Sequence, residues 1–322
     1  MNEWRAQSSW HALTARDRLN RVIRTFFQER NVTEISTPVL GLRGSPDCQL
    51  RSMEVCIQDD QYFLQTSPEF AMKRILATYG QPVFQICPAF RQADQGRMHN
   101  PEFSILEWYQ PGFEIGDLME EVLALIRRLP DGQDDWAAEP GQVSYRESFL
   151  NEFGVDPNRV SIVELRILIE KYTRQEVSHL GHFDDEMERS DCLDYLFSEC
   201  IASSFSGLTW VVDFPVCQAA LAEVDEARQI ARRFELYADG MELANGYQEL
   251  TDAVEMEFRF NQWNQFRATR GLPHMVVDQR LISAVSELPR TSGVAMGLDR
   301  LMMAWLDLED IAEVMPFVWP VS

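Results

Sequence analysis

The chain has 322 residues, 45% hydrophobic and 25% charged, enough to bury a sizeable core in one large domain or two small ones. No apolar stretch is long enough to span a bilayer, and the N-terminal MNEWRAQSSW lacks the apolar centre of a signal peptide. Lys plus Arg number 29 against 51 Asp plus Glu, a formal net charge of −22; this argues against a wide nucleic-acid-binding face, which needs clustered cations to neutralise phosphate.

The six cysteines, Cys48, Cys56, Cys87, Cys192, Cys200 and Cys217, are scattered without a CxxC pair and read as reduced thiols of a cytoplasmic protein. In chain order, Leu13 to Arg30 carries the amphipathic spacing of a helix, and Glu34 to Leu40 reads as a strand. Pro38 suits an edge or an interface better than a sheet centre. Gly41 to Asp59 reads as a loop with short strand segments, and Tyr62 to Thr66 as a strand. Ser67-Pro68-Glu69 then opens a helix to about Thr78, with Ser67 as the cap and Glu69 favoured by the helix dipole.

Val83 to Phe90 is an apolar run ended by Arg91; a polar loop follows, and a second apolar run starts at Phe103. The pattern predicts an antiparallel hairpin whose loop is too long for a tight turn, so its tip is free to reach over a ligand. Arg91, Arg97, His99, Asn100, Glu102, Phe103, Glu107 and Tyr109 lie on it. Planar cations suit phosphate oxygens, an aromatic face suits a base, and carboxylates suit an ammonium group or a divalent metal. These residue types fit a nucleotide beside an amino substrate, or a solvated hairpin with surface charges.

Helices are predicted at Ile115–Arg128, Val143–Leu150, Ser161–Tyr172 and Ser190–Ser203, with a Pro/Gly/Asp-rich loop over Leu129–Gly141 and a buried strand at Gly207–Phe214. His179, His182 and Asp184 match no familiar metal-ligand spacing and read as a solvated insertion. Phe234 to Leu250 reads as strand, Asp239-Gly240 turn, strand. Glu235 and Glu242 then sit across the hairpin, either around a cation or as outward charges. Glu249 lies seven residues on, an odd offset in a strand, so a bulge or bend is needed to aim it at the site. Glu255–Gly271 and Gln279–Leu288 are further helices. Val294 to Met296 is a short strand, and Leu298 starts a helix with Asp299 and Arg300 in its first turn. An arginine there opposes the helix dipole unless an anion compensates, and Gly297 lets backbone pass close to a nucleotide.

Four segments resemble the class II aminoacyl-tRNA synthetases, in the lysine subclass. FRQADQGRMHNPEFSILEWY resembles their motif 2, GVAMGLDRLMM motif 3, ISTPVL the end of motif 1, and MELANGYQELTD the segment that carries metal and substrate carboxylates. They occur in the family's order and cover most of the chain. The resemblance implies an α+β fold, a mostly antiparallel sheet flanked by helices. It implies a single catalytic domain over residues 1–322 with a helical insertion at about 130–205, dimeric through the first helix.

By the resemblance, Arg91 and Arg300 are the catalytic cations. ATP is held by Arg91, Gln92, Ala93, His99, Asn100 and Phe103, by Glu242 and Leu243, and by Gly297 and Arg300, with adenine between Phe103 and the Arg300 guanidinium. Ser67, Pro68, Glu69, Tyr109, Asn245, Glu249 and Ala295 line the amino-acid pocket. There Glu69 faces the substrate amino group, and Glu249, with Tyr109, the distal ammonium. Glu235 and Glu242 hold Mg2+. Two residues depart from the pattern: Ala93, followed by Asp94, stands where a glutamate is usual, and Ala295 where lysyl-tRNA synthetases have glycine.

Lysyl-tRNA synthetases carry an anticodon-binding barrel before motif 1, and only about a dozen residues precede the first helix here. With that barrel not expected, the resemblance implies activation of (R)-β-lysine by ATP and transfer to a lysine of elongation factor P, with no tRNA and no membrane partner expected. A stand-alone lysyl-tRNA synthetase-like enzyme and a small-molecule amide ligase are the alternatives. Arg91, Arg300 and the three glutamates disfavour a module without catalysis.

Overall fold

In the computed structural model, which describes residues 4–92, 95–130, 134–173 and 185–320, the chain divides into two units: Met1–Gln133 with Thr251–Ser322, and Asp134–Leu250. Each is built on a mostly antiparallel sheet flanked by helices, the α+β class expected from the sequence.

The first unit opens with helix α1, Trp10–Glu29, capped by Ser9, whose hydroxyl accepts from the Ala12 N–H at 3.1 Å. Its buried face carries Ala15, Leu19, Ile23, Phe26 and Phe27, the three-to-four spacing of an amphipathic helix. The strand expected over Glu34–Leu40 is instead two short strands in separate sheets, β1 (Thr33–Glu34) and β2 (Leu40–Gly41). The Thr37 N–H donates to the Gln85 side-chain oxygen at 3.0 Å and Pro38 has no N–H, so the ladder cannot continue through them. β2 joins β3 (Glu54–Ile57) and β4 (Asp60–Leu64) in a three-stranded sheet of order β2-β4-β3. Helix α2 (Glu69–Tyr79) leads to the hairpin of β5 (Val83–Phe90) and β6 (Glu102–Pro111), and helix α3 (Ile115–Ile126) follows. β1 runs parallel to β5, and β5 pairs antiparallel with β6 from Val83↔Tyr109 to Phe90↔Glu102. Phe27 of α1 stacks on Phe84 at 4.4 Å and meets Trp108 edge-on at 5.4 Å, so α1 covers one face of this hairpin.

In the second unit, β7 (Gly141–Ser144) precedes helix α4 (Tyr145–Phe153). The expected helix from Val143 thus begins two residues later, where Ser144 and Glu147 form a capping box. Helices α5 (Ile162–Thr173) and α6 (Glu186–Leu196) follow, and α6 continues as a π turn over Phe197–Ile201. Tyr145, Phe149, Leu165, Ile169, Leu193 and Phe197 pack against Val211 and Phe214 of β8 (Leu208–Pro215). β7 is parallel to β8, and β8 pairs with β10 (Ile230–Ala238), which also pairs with the short β9 (Val224–Asp225). β10 turns into β11 (Met241–Gln248) through Asp239 (φ 46°) and Gly240 (φ 82°). Two consecutive left-handed residues suit the twist of a tight hairpin. A Cβ at Gly240 would also lie 2.8 Å from the Ala202 carbonyl oxygen.

The chain then completes the first unit with helices α7 (Ala253–Thr269) and α8 (Gln279–Val285), strand β12 (Thr291–Gly297) and helix α9 (Leu298–Leu306). β12 pairs antiparallel with β6 from Thr291↔Pro111 to Gly297↔Ile105, so β1-β5-β6-β12 are consecutive neighbours. Ala93, Asp94, His179, His182 and Asp184 lie outside the described residues.

Candidate active site

Strand alternation sorts the first unit's sheet into two faces. Trp108, Phe84 and Val294 share the face toward α1, in one register row. The opposite face carries Phe103, Ile105, Glu107 and Tyr109 of β6, with Gln85 and Cys87 of β5 and Gly293, Ala295 and Gly297 of β12 in register beside them. The expected site residues Phe103, Tyr109, Ala295 and Gly297 therefore share one face. A Cβ built on Gly297 would meet nothing nearer than the Arg300 side chain at 3.9 Å. Protein packing leaves room above this glycine, as close approach of a nucleotide requires.

Glu107 is the organising group on this face. It is buried, and it accepts the Tyr109 phenol at 2.6 Å on one oxygen and the Ser67 hydroxyl at 2.9 Å on the other. Ser67 in turn accepts from the Glu69 N–H at 3.0 Å. Pro68, not the expected Ser67, stands at the cap position, so α2 starts at Glu69, one residue later than the sequence indicates. The Glu69 carboxylate pairs with Lys73 at 2.6 Å. Ala295 lies directly across from Glu107 and packs with Cys87, Ala89, Ile105 and Phe103. Burial, with the Glu107 charge second, pushes the Cys87 thiol up to about 11.

The described part of the loop between β5 and β6 is held down rather than free. Gly96 and His99 exchange backbone hydrogen bonds at 3.2 and 3.1 Å. Arg97 offers its carbonyl to the Ile311 N–H at 2.8 Å and its guanidinium to Glu309 at 3.2 Å. Asn100 is buried, donating to the Glu102 carbonyl at 2.5 Å and accepting from the Trp319 N–H at 2.9 Å. Gln92 is exposed, its N–H on the Arg51 carbonyl at 2.9 Å. The Arg91 guanidinium lies 5.0 Å from the centroid of the Phe103 ring, so this ring carries Arg91 on it. Arg300 instead hydrogen-bonds His99 and reaches the Met98 carbonyl at 3.4 Å. Beside it in the first turn of α9, Asp299 is buried, paired with Arg16 of α1 and accepting from the Ser104 N–H at 2.6 Å. This carboxylate ties α1, β6 and α9 together, and it offsets the cation at the helix N-terminus.

In the second unit the hairpin β10–β11 carries the other expected residues. Its register runs Glu235↔Asn245 and Leu236↔Ala244, then shifts to Tyr237↔Glu242, leaving Leu243 as the extra residue of a bulge. Leu243 itself is buried. Glu242 thus faces Tyr237 rather than Glu235. The bulge nevertheless puts Glu242 on the face of Asn245 and Tyr247, and Glu249, opposite Ala222, continues that face two residues on. Glu235 accepts from Arg233, from the Tyr237 phenol at 2.5 Å and from the Asn245 amide at 3.2 Å. Burial pushes the Glu235 carboxyl above its ordinary range; Arg233 opposes this, and the Glu242 charge adds to it.

Among the described residues no group of three or more His, Cys, Asp or Glu forms a metal site. Glu235 and Glu242 are a pair of hard oxygen donors on one hairpin face. Such a pair fits Mg2+, which takes one or two carboxylates and completes its shell with phosphate and water. The arginines, the ring of Phe103 and the open Gly297 fit a nucleotide. Lys73, which pairs with the expected residue Glu69, and Arg233, which pairs with the expected residue Glu235, were not singled out from the sequence.

Residues 1–319 match the family of class II tRNA synthetases (D, K and N), and the chain belongs to it. It is 40% identical over 326 residues to the elongation factor P--(R)-beta-lysine ligase of Histophilus somni (strain 2336), a match covering 98% of this chain and 97% of that protein. It is 39% identical over 324 residues to the protein of that name from Salmonella typhi, with the same coverage.

Proposed function

We propose that the chain activates (R)-β-lysine with ATP and transfers it to a lysine side chain of elongation factor P. The observation that carries this reading is the match, over 98% of the chain, to proteins named for that reaction. The family match spans both units, which supports one catalytic domain with a helical insertion at about 130–205. The acidic balance, a formal net charge of −22, supports a protein acceptor over tRNA. Among the described residues no helix is long and apolar enough to cross a membrane. A cytoplasmic homodimer joined through α1 completes the reading.

The substrate carboxylate attacks the α-phosphorus of ATP, giving the aminoacyl-adenylate and pyrophosphate. It is already ionised, so no general base is needed. Arg91 and Arg300 oppose the charge that builds on the phosphate oxygens, and Phe103 takes the adenine. Mg2+ at Glu235 and Glu242 would neutralise phosphate charge. Glu69 receives the amino group near the carboxylate, and Glu249 with Tyr109 the distal ammonium. An uncharged lysine amine of the acceptor then attacks the acyl carbon; AMP leaves, a proton is lost, and an amide forms.

The test is mass spectrometry of purified elongation factor P after incubation with the protein, ATP and (R)-β-lysine, with tRNA labelling in parallel. The expected result is one added lysyl mass on elongation factor P alone. No gain on elongation factor P, or equal labelling of tRNA, overturns the reading.

A further inference from the structure

We propose that Lys73 is a positioning residue for the amino-acid pocket: it fixes the direction of the Glu69 carboxylate and thereby makes the pocket select substrates with an amino group near the carboxylate. The inference rests on the reading of Glu69 given above. Lys73 lies on the buried face of α2 with Met72 and Leu76, and its side chain is 0% exposed. A lysine is almost never fully buried unless paired, because its ammonium loses its water. Its partner here is the Glu69 carboxylate one turn earlier, at 2.6 Å, and that side chain is 22% exposed.

The helix gains little from this arrangement. An apolar side chain of similar length would fill the same space, and Glu69, being 22% exposed, would keep water on its carboxylate without Lys73. Glu69 gains more. Its N–H is fixed on Ser67 at 3.0 Å, and Ser67 is fixed on Glu107 at 2.9 Å. With one carboxylate oxygen on Lys73, both the backbone and the side chain of Glu69 are set before a ligand arrives. A preorganised acceptor binds an ammonium without first losing rotamer freedom. A free Glu69 on the same helix would sample several rotamers and bind less tightly.

The test is ATP–pyrophosphate exchange with Lys73→Met, Lys73→Gln, Glu69→Gln and the double variant Lys73→Met/Glu69→Gln. Each is assayed with (R)-β-lysine and with 6-aminohexanoate, which keeps the carboxylate and the distal ammonium but has no second amino group. Lys73→Met is expected to raise KM for β-lysine about tenfold, the low end for losing a charge-assisted contact. KM for 6-aminohexanoate and for ATP stays unchanged, and so does the thermal midpoint. The double variant adds nothing beyond Glu69→Gln, and Lys73→Gln, which keeps a donor in the same space, recovers part of the loss. Lys73→Gln carries the same comparison if the methionine variant does not fold. Equal KM increases for both substrates, or additive effects in the double variant, would show a structural role and overturn the proposal. If Glu69→Gln raises KM for β-lysine but Lys73→Met does not, positioning by Lys73 fails alone. If Glu69→Gln itself changes nothing, the underlying reading of Glu69 fails with it.

Discussion

The Tyr109 phenol donates to the Glu107 carboxylate at 2.6 Å, and both side chains are buried on one face of β6. The donor proton of Tyr109 is spent inside the protein, so toward any further partner its oxygen can act only as an acceptor, as the proposed role beside an ammonium group requires. Glu107 also takes the Ser67 hydroxyl at 2.9 Å, which couples β6 to the start of α2.

Glu107→Gln places an amide NH2 against one of these two donors. The expected cost is about 1–3 kcal/mol in stability, the scale for an unsatisfied buried partner, read by urea unfolding. KM for the amino substrate should rise more than KM for ATP. An equal rise in both would remove Glu107 from the amino-acid side of the site.

Arg91→Ala and Arg300→Ala should each cost about 2–4 kcal/mol of transition-state stabilisation in ATP–pyrophosphate exchange, the scale for one preorganised charge contact. The two differ in context, since Arg91 rests on Phe103 and Arg300 on His99. Phe103→Leu should therefore weaken nucleotide binding and also loosen Arg91. Wild-type exchange in both arginine variants would sink the assignment.

Ala295 sits across from Glu107, in the place where lysyl-tRNA synthetases have glycine. In β-lysine the amino group has moved one carbon from the carboxylate-bearing carbon, so one methyl on this face can crowd one isomer and not the other. A methyl is worth about 1–3 kcal/mol in such discrimination. Ala295→Gly should raise exchange with α-lysine relative to β-lysine. An unchanged ratio would leave the methyl as packing against Cys87 and Ile105 alone.

Burial pushes the thiols of Cys87, Cys192 and Cys217 up to about 11, about 12 and about 12. Cys56 is exposed. Alkylation at about pH 8 should mark Cys56 quickly, the half-buried Cys217 more slowly, and the buried Cys87 and Cys192 only on unfolding, because the thiolate is the reactive form. The linkage has a definite sign. A thiol whose folded value is raised adds stability that is complete below its unfolded value of about 8.5 and is lost as pH rises through the folded one. Thermal midpoints should therefore fall from about pH 8.5 upward. A flat profile there would contradict the burial of these thiols.

Much of the frame was legible in the chain because it is written in local periods. The amphipathic spacing of α1, the apolar runs of β5 and β6, and the Asp239-Gly240 turn all specify their own geometry within a few residues. The need for a bulge or bend ahead of Glu249 was legible too, since an odd offset cannot stay on one face of a regular strand, and the structure supplies the bulge. The capping box of Ser144 and Glu147, which marks the start of α4, was not read, and the helix was expected two residues early.

The tertiary structure alone decided which atoms those elements bring together. Ser67 meets Glu107 across 40 residues and Arg16 meets Asp299 across 283, and no local pattern encodes either pairing. The break between β1 and β2 depends on the Gln85 side chain capturing the Thr37 N–H, and the loop after β5 is held by Glu309, Ile311 and Trp319. The Ser67-Pro68-Glu69 start signal placed Lys73 on a helix; only packing showed it buried and paired with Glu69. Periodicity reports which face a residue shares, whereas hydrogen bonds and ion pairs between distant segments form only once the chain has closed on itself.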